Sequence, residues 1–384
     1  MNNVPPLDLA KQYTLIGEEV NAAVLKVLAS GRYIGGPIVE QFEQAFAQYI
    51  GVEHCVGCNS GTDALYLALR ALNIGLGDEV ITSPFTFVAT AEMITAVGAT
   101  PVFVDIDPTT FNLDVNQLEG AITPKTRAIL PVHLFGHPVD MTRLIAIAQS
   151  YNLIVIEDCA QATGARWDGQ PVGSIGDIGC FSFFPTKNLG ACGDGGAVTT
   201  NDPAIAARIR KLKEHGQPTR YYSDETGINS RLDALQAAIL QIKLPYLDHW
   251  NQQRAKIAQA YHQRLQQIPQ IILPQAQDGG EAVWNQYTIR LCHEEGRKFP
   301  PDLLWRDWVR EELQKLGIGS MVYYPLPLHL QPVYESLGYA PGKFPFAEKV
   351  AQEVLSLPMF PELDSQQQER VIYALKDCLS QSLP

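Results

Sequence analysis

Residues 181–196 have the sequence FSFFPTKNLGACGDGG. The apolar and aromatic residues at its start indicate a buried strand, and the glycines that follow indicate a loop. Lys187 lies between the two. Burying an ammonium group is costly unless the group is paired or loses its proton, and a desolvated amine is what Schiff-base chemistry requires. Lys187 is therefore a candidate catalytic residue. The alternative is a lysine that extends from the strand end into solvent.

Short apolar runs alternate with helical segments around this stretch. The runs at residues 80–82, 102–105, 128–132 and 153–158 predict strands, and segments such as 89–96 predict the helices between them. This alternation is typical of an α/β domain whose mostly parallel sheet is covered on both faces. Ligands bind such sheets beyond the carboxyl ends of the strands.

Three other predicted strands are followed by residues suited to a ligand. Asp158 ends an apolar strand, where a carboxylate needs a cation or a donor, although it could also cap a following helix. Ser60, Gly61 and Thr62 precede a helical pattern, and the free N–H groups of a helix N-terminus bind anions such as phosphate. An ordinary N-cap is the alternative there. The aromatic residue Phe87 follows a third strand.

Composition restricts the class of protein. The chain has 384 residues and a formal net charge of -12, which opposes nucleic-acid binding. No basic leader precedes an apolar run and no apolar run is long enough to span a membrane, so we expect a cytoplasmic protein without a membrane partner. The seven cysteines are scattered and indicate reduced thiols.

Several common sites are excluded by spacing. The glycines after Lys187 do not have the GxGxxG spacing of dinucleotide-binding loops, and no GxxxxGK[ST] or HExxH motif occurs. The histidines show no metal-ligand spacing, so we expect no metal. The remaining set comprises an anion site, an aromatic ring, a buried acid and a lysine. Pyridoxal 5'-phosphate (PLP) needs these four functions.

With these residues assembled, the chain resembles the DegT/DnrJ/StrS family of nucleotide-sugar aminotransferases over nearly its whole length. The resemblance implies an α/β chain of PLP fold type I, like aspartate aminotransferase. It implies a large PLP-binding domain at residues 1–245, with a mostly parallel sheet, and a smaller α+β domain at residues 246–384.

The resemblance also assigns roles to residues in this chain. Lys187 matches the lysine that binds PLP, and Asp158 matches the aspartate that contacts the pyridine nitrogen. Gln161 matches the partner of the ring hydroxyl, and Phe87 occupies the stacking position. The phosphate position is matched by Ser60, Gly61, Thr62 and Ser182. Asn229 resembles a residue that the neighbouring subunit lends to the phosphate, which implies a homodimer with shared active sites.

The implied activity is transfer of an amino group from L-glutamate to a keto sugar linked to UDP or dTDP, for polysaccharide or glycoside synthesis. Pyridoxamine 5'-phosphate is the form of the cofactor that carries the amine. Residues 322–331 are most similar to members that aminate C3, although many of those have histidine where this chain has Tyr323. Candidate substrate contacts are Arg32, Tyr33, Arg231, Tyr323 and His329.

Two alternatives to this activity stay open. A C4 aminotransferase of the same family is the nearest alternative within the enzyme class. A non-catalytic regulatory protein on the same fold is the alternative from another class. The lysine at position 187 favours an enzyme, because a protein that only binds has no need of a Schiff-base amine.

Overall fold

The computed structural model describes residues 3–292 and 304–380. In these residues the helices α1 to α12 are, in chain order, Leu9–Ser30, Pro37–Ile50, Gly61–Ala71, Ala89–Ala96, Leu118–Ala121, Met141–Ser150, Pro203–Leu212, Ala234–Lys243, Leu247–Leu265, Trp305–Lys315, Pro345–Glu353 and Ser365–Ser380. The strands β1 to β13 are His54–Cys58, Glu79–Thr82, Thr100–Phe103, Thr126–Ile129, Ile154–Asp158, Arg166–Trp167, Gln170–Pro171, Ile178–Ser182, Gly196–Thr200, Ile271–Ile272, Gly280–Glu281, Tyr287–Leu291 and Val354–Leu357.

The main sheet contains seven of these strands in the order β1-β9-β8-β5-β4-β2-β3. Strands β3, β2, β4, β5 and β8 are parallel to one another, whereas β9 is antiparallel to both β8 and β1. The central strands are apolar and buried along most of their length, because helices pack on both faces of the sheet. The predicted α/β fold with a mostly parallel sheet is confirmed.

The register of the sheet brings the predicted residues to one edge. Asp158, the last residue of β5, is opposite Cys180 of β8, and Ser182, the last residue of β8, is opposite Gly196 of β9. The loops that follow β1, β2, β5 and β8 therefore leave the sheet at the same edge. These loops carry the predicted ligand residues.

A second core lies mainly in the C-terminal part of the described chain. It surrounds the antiparallel sheet β10-β12-β13 and includes Tyr261 and Val309, together with Val4 from the N-terminal segment. Strand β11 also returns to pair with β6. The division at residues 245 and 246 stays a prediction. None of the helices in the described residues has the length and apolar run needed to cross a membrane.

Candidate active site

A cavity of about 370 Å³ lies at the carboxyl ends of β1, β2, β5 and β8. Its lining contains eight of the nine residues that we predicted to bind the cofactor, namely Ser60, Gly61, Thr62, Phe87, Asp158, Gln161, Ser182 and Lys187. Tyr323, predicted to contact substrate, lines it too. The chain therefore brings most of the predicted site together, although these residues are far apart in sequence.

Lys187 lies in a tight turn between β8 and β9. Its backbone N–H donates to the carbonyl of Phe184 at 2.9 Å. The turn needs glycine at position 190, where a Cβ atom would lie 2.4 Å from the carbonyl oxygen of Pro185. The side chain is partly buried, and burial lowers the pKa of its amine to about 8 against the opposing effect of Asp158. This is the desolvated amine that the sequence predicted.

Asp158 ends β5 with its carboxylate buried. Oδ2 accepts a hydrogen bond from Thr90 Oγ1 at 2.9 Å, and Oδ1 accepts one from the backbone N–H of Ala160 at 3.1 Å. Burial raises the pKa of Asp158, and the donors and the charge of Lys187 oppose that rise. The alternative role as a helix cap is wrong, because residues 160–164 form turns rather than a helix.

The side-chain amide of Gln161 is fixed at both ends. Oε1 accepts from the backbone N–H of Phe135 at 2.7 Å, and Nε2 donates to the hydroxyl oxygen of Tyr324 at 3.1 Å. The ring of Tyr324 lies 6.2 Å from the ring of Phe87, centroid to centroid. Phe87 is 56% exposed at the edge of the cavity, so its ring is accessible to a ligand.

The predicted anion site is a narrow space where α3 meets the ends of β8 and β9. Ser60 caps α3, with its Oγ accepting from the N–H of Asp63 at 3.1 Å. A Cβ atom on Gly61 would lie 2.6 Å from Cβ of Ser182. Glycine is therefore required at position 61. The first N–H groups of α3 have no carbonyl partner within the helix and lie at the cavity wall, as an anion site requires.

Thr90 and Tyr324 are residues of this site that contact predicted ones but that sequence reasoning missed. Both lie near residues that the sequence pattern singled out, since Thr90 lies one helical turn beyond Thr86 and Tyr324 follows Tyr323. Neither signal indicates which partner the hydroxyl group contacts. That depends on the folding of three separate loops around Asp158 and Gln161.

Four of the five predicted substrate residues, all except Tyr323, lie outside the cavity lining. Arg32 and Tyr33 are exposed, and the Tyr33 hydroxyl donates to the carbonyl of Leu28 at 3.4 Å. Arg231 Nη1 lies 3.3 Å from Glu214 Oε2. Asn229, predicted to serve the neighbouring subunit, is exposed and pairs through its backbone with Glu214.

His329, also predicted to contact substrate, lies away from the cavity lining. Its side chain is buried outside the cavity lining, where Nε2 lies 3.1 Å from Glu348 Oε1. A short 3-10 turn at Leu328–Leu330 directs the imidazole toward Phe344, 4.8 Å away between ring centroids. Burial lowers the pKa of this histidine, with Glu348 opposing the effect. His329 therefore helps to pack the loop and does not line the cavity.

One group of three possible metal ligands occurs in the described residues. Atoms of His133, Glu157 and Cys159 lie within 4.8 Å of one another. His133 and Glu157 already use their lone pairs in hydrogen bonds. His133 Nδ1 accepts from the N–H of Val139 at 3.1 Å, and its Nε2 lies 3.0 Å from Glu157. The Glu157 carboxylate also accepts from three backbone N–H groups, those of Gly173, Ile175 and Gly176.

The chain is similar over nearly its whole length to known proteins and structures. It is 49% identical to a "Pleiotropic regulatory protein" of Geobacillus stearothermophilus, over 96% of this chain and 97% of that protein. It is 46% identical to the UDP-N-acetyl-3-dehydro-alpha-D-glucosamine 3-aminotransferase of Acidithiobacillus ferrooxidans, over 98% of each chain. The crystal structure of S. venezuelae DesV in complex with a ketimine intermediate is similar with a TM-score of 0.94 and 44% identity, over 99% of this chain and 100% of that one.

The sequence profile of the DegT/DnrJ/EryC1/StrS aminotransferase family matches residues 14–376. The match includes all the cavity residues named above. This chain is therefore a member of the DegT/DnrJ/EryC1/StrS aminotransferase family.

Proposed function

We propose that this protein is a PLP-dependent aminotransferase that moves the amino group of L-glutamate to C3 of a 3-keto sugar linked to UDP or dTDP. The observation that carries the proposal is that Lys187, with its lowered pKa, and the buried carboxylate of Asp158 line the same cavity. The sugar class is supported by the A. ferrooxidans relative, whose name specifies a 3-dehydro sugar and a 3-aminotransferase.

The residues of the cavity fit PLP by their donors and their shape. The free N–H groups of α3 and the hydroxyls of Ser60, Thr62 and Ser182 suit the phosphate. Because Gly61 has no side chain, α3 approaches Ser182 closely, and both lie at the same corner of the cavity. The buried carboxylate of Asp158 suits a protonated pyridine nitrogen, because a buried charge that accepts hydrogen bonds from Thr90 and Ala160 still needs a cation nearby. Phe87 supplies the ring for stacking.

When bound, PLP supplies an electron-withdrawing ring that stabilises negative charge on the carbon that loses a proton. Lys187 supplies the base. At pKa of about 8, the fraction of neutral amine at neutral pH is roughly two orders of magnitude larger than for an ordinary lysine. The neutral amine would hold the cofactor and, when free, its Nζ could accept a proton and give it back.

The other cavity residues hold the functional side chains in position and exclude water. Thr90 and the N–H of Ala160 hold the Asp158 carboxylate in one orientation, in which it would meet a protonated ring nitrogen of the cofactor. Gln161 is held by Phe135 and Tyr324, so its amide is fixed before a ligand arrives. Tyr323 and Gln286 line the cavity beside Tyr324, and we assign the sugar to this side.

A homodimer is part of the proposal. Helix α1 and the segment after it carry exposed apolar side chains, including Leu15 at 69%, Leu25 at 63% and Ile34 at 52% exposure. Such a surface is typical of a subunit interface. Asn229 is exposed on the same chain, outside its own cavity, as expected for a residue that completes the site of a partner. Sedimentation of the purified protein tests the dimer.

The relative named as a regulatory protein favours a second candidate, a regulator that keeps the fold. Retention of Lys187, Asp158 and Gln161 in one cavity argues for catalysis in this chain. The C4 aminotransferase differs only in how the sugar is oriented. Both alternatives are separated from the proposal by the experiment below.

The experiment is an absorbance titration of the purified protein loaded with PLP. L-Glutamate is expected to replace the absorbance of bound PLP with that of pyridoxamine 5'-phosphate. A UDP- or dTDP-linked 3-keto sugar is then expected to restore it, and NMR of the product to show nitrogen on C3. Nitrogen on C4 would indicate the alternative enzyme. A protein that binds PLP but gives no spectral change with any amino donor would favour the regulator.

A further inference from the structure

Three buried asparagines form a chain of hydrogen bonds beside Lys187. Asn285 Nδ2 donates to Asn188 Oδ1 at 2.7 Å, and Asn188 Nδ2 donates to Asn251 Oδ1 at 2.7 Å. Asn251 Nδ2 then donates to the backbone carbonyl of Thr163 at 3.1 Å. All three side chains are buried. Each amide therefore donates to the next, in one direction.

Backbone hydrogen bonds close this chain into a ring. The N–H of Asn285 donates to the carbonyl of Phe135 at 2.9 Å, and the N–H of Phe135 donates to Gln161 Oε1 at 2.7 Å. Gln161 precedes Thr163, the other end of the chain, by two residues in the segment that begins at Asp158. The ring thus joins the loop of Lys187 to the loop of Asp158 and Gln161. We call it the amide ring.

The amide ring holds the backbone on both sides of Lys187. Asn188 follows the lysine directly, and its amide also donates to the carbonyl of Val283 at 2.9 Å. Thr186 precedes the lysine, and its carbonyl accepts from Asn285 Nδ2 at 3.4 Å. The side chain of Lys187 takes no part in the ring and remains at the cavity wall.

The close approach of Asn251 needs a special backbone at Gly164. This glycine has φ of +94°, and a Cβ atom there would lie 2.6 Å from Asn251 Nδ2. Any other residue would be strained and would displace the amide. The loop after Asp158 therefore provides both an acceptor and the space for this contact.

We propose that Asn188 is a positioning residue, which through the amide ring fixes the lysine backbone relative to Asp158 and so keeps the Lys187 amine inside the cavity. The hydrogen bonds within the lysine loop, such as the one from Lys187 N–H to Phe184, do not connect that loop to the Asp158 segment. The amide ring does. The role of Asn188 in catalysis rests on the proposed function.

The test uses neutral substitutions of similar size, Asn188→Leu and Asn251→Leu, so that no new charge acts on the lysine. The matched control is Gln368→Met, because Gln368 is also a buried amide that donates to a backbone carbonyl, that of Ile257 at 2.7 Å, and lies outside the cavity lining. Acetylation of Lys187 in the protein without cofactor is followed by mass spectrometry from pH 6 to 11. The pH midpoint reports the pKa of the amine.

In both ring variants we expect the midpoint to rise by about one unit, because a lysine that leaves its buried position regains solvation. Gln368→Met is expected to leave the midpoint unchanged, whatever it does to the unfolding temperature. Binding of PLP is expected to weaken about tenfold or more in the ring variants only.

An unchanged midpoint in the folded ring variants would overturn the proposal. Circular dichroism establishes folding, and Asn251→Leu decides the question if Asn188→Leu does not fold. An equal rise in the Gln368→Met control would also overturn it, since the rise would then reflect general loosening. Labelling requires neither cofactor nor substrate. Failure of the proposed function would be seen separately, as absence of amino transfer by the unchanged protein.

Discussion

The hydroxyl of Thr90 donates to the carboxylate of Asp158 across 2.9 Å, joining the first turn of α4 to the end of β5. Thr90 Oγ1 also lies 3.1 Å from the hydroxyl of Thr86. All three side chains are buried. Burial raises the pKa of Asp158 and so favours its neutral form. Each hydrogen-bond donor to the carboxylate therefore contributes strongly to keeping Asp158 ionised.

We expect Thr90→Val to weaken PLP binding roughly ten- to hundredfold, since a hydrogen bond to a charged group contributes about 1.5–3 kcal/mol. The substitution keeps the shape and removes the donor, so the pKa of Asp158 should rise further. Fluorescence titration with PLP measures the affinity. Thr95→Val is the control, because Thr95 is exposed on the same helix and donates only to its own helix, to Ala91. Equal affinities in the two variants would contradict the prediction.

Gly61→Ala is expected to destabilise the protein by about 1–3 kcal/mol, the usual cost of overpacking. The reason is the 2.6 Å separation between the added Cβ and Cβ of Ser182. The same displacement should weaken PLP binding, because it moves α3 away from the phosphate position. Urea unfolding and PLP titration measure the two effects.

The control for this substitution is Gly120→Ala. A Cβ atom at Gly120 would have no neighbour within 4 Å, and the residue lies exposed in the short helix α5. Alanine there should leave stability unchanged or raise it by up to about 1 kcal/mol. If Gly61→Ala were as stable as Gly120→Ala and bound PLP equally well, the anion site would have to lie elsewhere.

The strands, the edge of the sheet that carries the site and the main side chains of the site could be predicted from the sequence, because each depends on a local pattern. Lys187 and Asp158 were detectable as polar residues at the ends of apolar strands. The amide ring was not detectable, because Asn188 bonds to residues 63 and 97 positions away. The surroundings of His329 were not detectable for a related reason, because its imidazole contacts Phe344 and Glu348, which lie further along the chain.

We expect Glu157→Gln to destabilise the protein by about 1–3 kcal/mol. Glu157 is fully buried and accepts from His133 and from the backbone N–H groups of residues 173, 175 and 176. A glutamine amide nitrogen cannot accept, so at least one of these donors loses its partner. Urea unfolding measures the loss. Glu53→Gln, an exposed site, should change stability by less than about 0.5 kcal/mol, and a similar loss at both sites would contradict the prediction.

The last prediction concerns the stability of the protein without cofactor. Lys187→Met should make it more stable at pH 7, by roughly 1–3 kcal/mol. Burial lowers the pKa of Lys187 to about 8 in the folded state, whereas an unfolded lysine titrates near about 10.4. Between these values the unfolded chain binds more protons, so the unchanged protein gains stability as the pH rises.

The advantage of Lys187→Met should therefore be largest below pH 8 and should disappear by about pH 10. Urea unfolding of both proteins at pH 7 and pH 10 measures it, and the difference between them cancels the titration of all other groups. Lys376→Met, at an exposed lysine, should show neither the gain nor its pH dependence. If Lys187→Met were no more stable than the unchanged protein at pH 7, the lysine would not be held in a desolvated position. The same variant should have lost amino transfer, because the amine that binds the cofactor and carries the proton is gone.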